Sequence, residues 1–361
     1  MLIEIKKMKK ILIIYNYVLH YRKPFFNELA KNYDVTVLHS GKKSVEGSDA
    51  YKEIIVSVKK IGPFFIQGGV SKEVTKPKYD VVISLFDVRW LATLSFLFFK
   101  NDSKLNILWG AWVTKSVLAN KLRGYFLKKS DANVFYTYDA ELGFSNLNIP
   151  KNKMFVANNT FDVGERVKSF QNPTKNRILF VGSLDARKEN RVLLKAFANI
   201  KSQISSDIVL TFIGSGNESN ELAELAIQLG VEKHVQLLGR INDIKVLKKY
   251  YKEAIVSVSF GQAGLSVLQS MGYGVPFLTK INAISGGEKS NIKAGVNSIF
   301  CNDSQGSLEF YLVNLCNNIE RSRELGSCAY DYYEKYCTIQ NMAQGFIDAI
   351  EGQNLSKVDK N

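Results

Sequence analysis

A chain of 361 residues, 46% hydrophobic and 23% charged with only 6 prolines, is too long for one ordinary core. It suits two α/β domains of roughly 150 to 200 residues with a cleft between them, and its composition excludes disordered and collagen-like chains. The formal charge of +14 is uneven, with 25 Lys+Arg against 15 Asp+Glu in residues 1–165 and 23 against 19 in the rest, so the first half should attract phosphates on nucleic acid, anionic lipid or a lipid diphosphate.

The opening segment MLIEIKKMKKILIIYNY has lysines before an apolar run, but no small-residue cleavage site follows, and the run is too short to span a bilayer. It reads as a first strand over residues 11–15, with Met8 as a second candidate start. A helix over 24–32 and a strand at 34–38 complete a β-loop-α-β unit. Short strands are predicted at 54–58, 81–85, 105–109 and 132–137, the alternation of a doubly wound parallel sheet. The apolar run at 90–99 is about half the length of a membrane span, so no transmembrane anchor is expected. Residues 158–174 carry little apolar pattern and read as a linker.

The second half starts over with ILFVG and a helical pattern from Asn190, then strands within 209–216, 235–239, 255–259 and 276–279. A last helical pattern, roughly 330–350, follows the second sheet and is expected to pack back on the first domain. The expected domains are therefore 1–165, 166–335 and a C-terminal helix and tail at 336–361. The four cysteines, at 301, 316, 328 and 337, form no C-x-x-C pair and read as reduced thiols of a cytoplasmic protein.

Ligands of an open parallel sheet bind at the carboxyl ends of its strands, so the residues just after each strand matter most. After ILFVG come Gly182, Ser183, Leu184, Asp185, Ala186, Arg187 and Lys188. Two adjacent cations at a helix start suit a departing diphosphate. After the strand ending at Ser259, the segment Gly261, Gln262, Ala263, Gly264 and Leu265 lets backbone approach a ligand at the next helix start. Glu288, in the loop after the strand ending at Thr279, is a candidate carboxylate for donor hydroxyls. In the first half, His20, Tyr21 and Arg22 precede a helix with Pro24 in its first turn. Trp109, Gly110 and Trp112 end a strand, where tryptophan faces can stack on a sugar. The run KSVLANKLRGYFLKK at 115–129 mixes apolar residues with five cations; it reads either as a sheet-packing helix with a solvated face or as one lying on anionic lipid.

FVGSLDARKEN and GLSVLQSMGYGVP together resemble the family 4 (group 1) glycosyltransferases. Weaker matches are IGSG at 213–216, LLGRI at 237–241, GVNSIF at 295–300 and YRKPFFNEL at 21–29. The resemblance implies a GT-B fold, two Rossmann-like domains facing a cleft, and transfer with retention of anomeric configuration. It implies no cofactor and no metal, the cations and helix start standing in for one. The donor is expected to be a UDP- or GDP-sugar held by the second domain, with Gly214 nearby, Gly239, Arg240 and Ile241 near the base, and Gln269 near the ribose. A glycan or lipid-linked acceptor is expected on the first domain, His20 and Arg22 orienting it and the donor phosphates, at the anionic inner face of a membrane in bacterial surface polysaccharide synthesis. The family usually places glutamates at the positions of Gly261 and Gln269, so this chain resembles a divergent branch. Two alternatives share the plan: a nucleotide-sugar 2-epimerase, which would need more cleft acids and histidines than these loops hold, and a non-catalytic subunit that binds a sugar nucleotide or a partner enzyme. Nothing in the sequence suggests a nucleic-acid module.

Overall fold

The computed structural model describes residues 8–91 and 103–352. The expectations about residues 1–7, and most of that about the apolar run at 90–99, lie outside these. The chain divides into two units, one of residues 1–159 with 339–361 and one of residues 160–338.

The first unit is a parallel sheet. Its strands are β1 (Lys10–Ile14), β2 (Asp34–His39), β3 (Lys52–Ile55), β6 (Val81–Leu85), β7 (Leu105–Trp109), β8 (Ala132–Phe135) and β9 (Met154–Val156), in the order β3-β2-β1-β6-β7-β8-β9. Both faces of β1 are buried, Ile11 and Ile13 in one core cluster and Leu12 and Ile14 in another, which is why it reads as an unbroken apolar run. The single strand expected over 54–58 is instead the end of β3 and the start of a separate antiparallel hairpin, β4 (Val58–Ile61) with β5 (Phe64–Gln67). Gly62, at φ 55°, makes its turn.

Helix α1 (Lys23–Leu29) buries Phe25, Phe26 and Leu29; the short α2 (Val70–Val74) precedes β6; α3 (Val117–Lys129) is capped by the Ser116 side chain; α4 (Tyr138–Ser145) is capped by Thr137.

The second unit has the parallel strands β10 (Arg177–Val181), β11 (Val209–Ile213), β12 (Val235–Leu237), β13 (Ala254–Val258), β14 (Phe277–Lys280) and β15 (Ser298–Cys301), ordered β12-β11-β10-β13-β14-β15. Helix α5 (Asn190–Ile200) buries Leu193, Leu194, Ala196, Phe197 and Ile200, a stripe at helical spacing against Phe180 and Phe212. Helices α6 (Ser219–Gln228), α7 (Ile244–Glu253), α8 (Ser266–Gly272) and α9 (Gln305–Asn317) complete the alternation.

The helical pattern expected over 330–350 is two helices, α10 (Ile319–Tyr336) and α11 (Ile339–Glu351). They part at Cys337 and Thr338, where the Thr160 hydroxyl donates to the Cys337 carbonyl. Only α11 belongs to the first unit, where Phe346 packs on Phe25 at 4.8 Å and on Trp109 at 4.9 Å. Among the described residues no helix is long and apolar enough to cross a membrane, and the four cysteines are unpaired.

Candidate active site

In the second unit the strand order reverses between β10 and β13, so the crevice opens at the carboxyl ends of those two strands. The Asp185 carboxylate accepts from the Arg187 amide at 3.2 Å and pairs with its guanidinium at 3.0 Å. The guanidinium beside it holds the Asp185 carboxyl below the usual range. Arg187 is thus exposed and already partnered. Lys188 is only 9% exposed, and burial pushes its ammonium below the ordinary lysine value, with Asp185 and Glu288 opposing and Arg187 assisting. No carboxylate pairs with it among the described residues.

Backbone hydrogen bonds lace three loops together here. The Gly261 amide donates to the Lys188 carbonyl at 3.0 Å, the Ile284 amide to the Gly261 carbonyl at 2.9 Å, and the Ala263 amide to the Ile284 carbonyl at 2.8 Å. The Ser259 hydroxyl donates to the Gln262 carbonyl at 2.6 Å. A Cβ at position 261 would collide with the Arg187 carbonyl oxygen and stand 2.8 Å from Glu189 Cγ. Glycine is required here by the close approach of the Arg187 turn. Gly264 and Leu265, half-buried, lead into α8.

The neighbouring loops are laced in the same way. The Gly182 amide donates to the Ile213 carbonyl at 3.0 Å and the Gly214 amide to the Gly239 carbonyl at 2.8 Å. A Cβ at Gly214 would overlap the Gly182 carbonyl. Ser183 and Arg240 are exposed at this rim and Ile241 is half-buried. Gln269 is not at the rim: it is buried, and its Oε1 accepts from the Tyr251 hydroxyl at 3.3 Å. Its place on α8 turns it to the core, beside the stacked Tyr251 and Tyr273 rings. Glu288 is also buried, its Oε2 accepting from the Gly286 amide at 3.1 Å within its own turn.

In the first unit the reversal falls between β1 and β6, and two expected site residues prove to be core. Trp109 is 0% exposed and packed among Tyr15, Phe25 and Phe346, so neither face can receive a sugar. Arg22 is 3% exposed, its guanidinium 5.4 Å from the Trp109 ring and donating to Asn159 Oδ1 at 2.9 Å. It tethers the start of α1 from inside. His20 is exposed and Tyr21 half-buried, their rings 5.8 Å apart. Gly110 and Trp112 do face open space. With Asn16, Asp87, Arg89, Thr114 and Arg123 they line a cavity of about 380 Å³. Asp87, Arg89 and Arg123 were missed, although FDVR directly follows the β6 run and the strand-end rule would have found the first two. Among the described residues no cluster of three or more His, Cys, Asp or Glu could hold a metal ion.

Residues 164–330 match the family described as glycosyl transferases group 1. The second unit is a group 1 glycosyl transferase domain. The uncharacterized glycosyltransferase MJ1607 of Methanocaldococcus jannaschii is 35% identical over 126 residues, which is 34% of this chain and only 31% of that relative. Anabaena Alr3699/HepE in complex with UDP is 15% identical over 95% of this chain and 100% of that one, with a TM-score of 0.72. A glycosyltransferase from Rickettsia africae gives 13% over 96% and 99% with TM-score 0.72, and the lipopolysaccharide outer core galactosyltransferase WaaB gives 15% over 95% and 99% with 0.70. Likeness at that identity establishes the fold, GT-B with two Rossmann-like domains. Residues 164–330 thus contain every laced loop described above.

Proposed function

We propose that this chain transfers a sugar, with retention and without a metal, from a nucleotide diphosphate to a lipid-linked glycan acceptor in bacterial surface polysaccharide synthesis. The bond from the anomeric carbon to the β-phosphate breaks, the acceptor oxygen bonds that carbon, and its proton leaves with the diphosphate. One observation carries the reading: a nearly buried Lys188 ammonium, paired with no carboxylate among the described residues, stands where strand order reverses in a group 1 transferase domain. A desolvated cation waiting for a leaving diphosphate costs no reorganisation when charge develops. The UDP and UDP-glucose named with Anabaena HepE support a nucleotide-sugar donor. Thermal shift against UDP, GDP, ADP and dTDP sugars, with and without EDTA, tests it. Binding stabilises the fold by mass action, so one base family should raise Tm regardless of chelator, and no shift with any would end the proposal.

The acceptor would occupy the cavity of Gly110, Trp112 and Arg123. Residues 103–130 hold six cations and no acid. On α3, Leu118 is 79% exposed and Val117, Leu122 and Tyr125 are exposed too. The hairpin adds exposed Ile61, Phe64 and Ile66 beside Lys59 and Lys60. Apolar side chains ringed by cations match an anionic bilayer surface. Sedimentation with phosphatidylglycerol vesicles should carry the protein down, and Leu118→Asp with Leu122→Asp should release it; equal pelleting of the double variant would refute the contact.

A further inference from the structure

Glu189 is one of two non-glycine residues with positive φ among the described residues, the other being Asn148. Its φ of 54° and ψ of 41° lie in the left-handed region, where asparagine is tolerated and a glutamate Cβ is crowded. Glycine would fill the turn between Lys188 and α5 with less strain. A strained residue kept at a ligand crevice invites a functional reading of its side chain.

That side chain is placed by its neighbours. Glu189 Oε1 lies 2.6 Å from the Lys280 ammonium, at the carboxyl end of β14. The ammonium in turn stands 5.0 Å over the Phe260 ring. The Glu189 Cγ lies against Gly261, whose backbone leaves no room for a side chain of its own. Lys280 holds the carboxylate in place at 2.6 Å, and Glu189 Oε2 has no hydrogen-bond partner among the described residues. The side chain is about one-third exposed. In the three loops laced at Gly261 the other two acids are engaged: Asp185 holds Arg187, and Glu288 turns into its own loop. The open carboxylate therefore lies one residue from the buried Lys188 and beside the glycine loop.

We infer that Glu189, aimed by Lys280, accepts hydrogen bonds from hydroxyls of the donor's sugar and so reads the sugar, as Lys188 holds the diphosphate. This rests on the proposed function above. A carboxylate with one open oxygen suits a hydroxyl donor, and losing a charged hydrogen bond to a ligand typically costs about 10- to 100-fold in affinity. A purely structural Glu189–Lys280 pair would leave recognition of the sugar untouched.

Calorimetry on the full chain separates the two, with UDP, GDP, UDP-glucose, UDP-galactose, UDP-N-acetylglucosamine and GDP-mannose as probes. The variants are Glu189→Gln and Glu189→Gly. Bare nucleotide should bind each as it binds the wild type, within about twofold, while affinity for the matching sugar nucleotide falls at least tenfold. Glu189→Gly suits the left-handed turn, so its Tm should hold or rise and exclude unfolding as the cause. If both variants keep the wild-type ratio of sugar-nucleotide to nucleotide affinity, the inference is overturned. If the unsubstituted chain binds none of the probes, the donor reading itself falls, a failure visible without any variant.

Discussion

The two units reverse strand order at equivalent places, between β1 and β6 in one and β10 and β13 in the other, yet they treat the loop after the first strand differently. In the second unit that loop is held by backbone: the Gly261 amide donates to the Lys188 carbonyl and the Leu184 amide to the Ser215 carbonyl, and among the described residues no carboxylate pairs with the Lys188 ammonium. In the first unit the loop is held by side chains, with Arg22 inserted among Tyr21, Trp109 and Tyr136. A loop closed by amides leaves a cation for a ligand; a loop closed by a cation does not.

Substitutions can break that contrast, beginning with the largest effect. Trp109→Ala should destabilise the first unit by about 3–5 kcal/mol, the range for emptying a packed aromatic site, seen as a lowered denaturation midpoint. Nucleotide affinity of the second unit, measured below that midpoint, should hold; a loss of binding equal to that of a Lys188 variant would put Trp109 back in the site. Lys188→Met should leave Tm nearly unchanged and weaken nucleotide binding about 10- to 100-fold. Because the bound diphosphate favours the protonated amine, wild-type affinity should fall as pH rises through the lowered Lys188 pKa, below the ordinary 10.5. The Lys188→Met profile should be flat over that window. Arg187→Ala should cost only about two- to threefold, since its exposed guanidinium already pairs with Asp185. An Arg187 effect larger than that of Lys188 would reverse the assignment.

The strands and the glycine loops were legible because their causes are local. Unbroken apolar runs such as residues 11–14 and 178–181 demand burial on both faces, and glycines at 182, 214 and 261 stand where one backbone meets another. The exposed hairpin was not legible: VSVKKIGPFFIQ has no clean alternation, and its strands bury little. Cys301 ends a strand that was noticed only as part of a motif. Lys188 and the glycine loop are brought together as the strand-end rule requires, whereas Trp109 at a strand end, Arg22 at a helix start and Gln269 within α8 face inward.

Residue order alone determined that this chain has two parallel sheets, which loops end their strands, and that one pair of cations stands in such a loop. Tertiary structure decided which cation is free, because Asp185 and the Gly261 amide take hold of different parts of the same turn. It decided too that Glu189 lies beside Lys280, 91 residues away. Spacing along a chain states which residues can share an element; which way a side chain turns depends on the neighbours that crowd or charge it, and those come from distant strands.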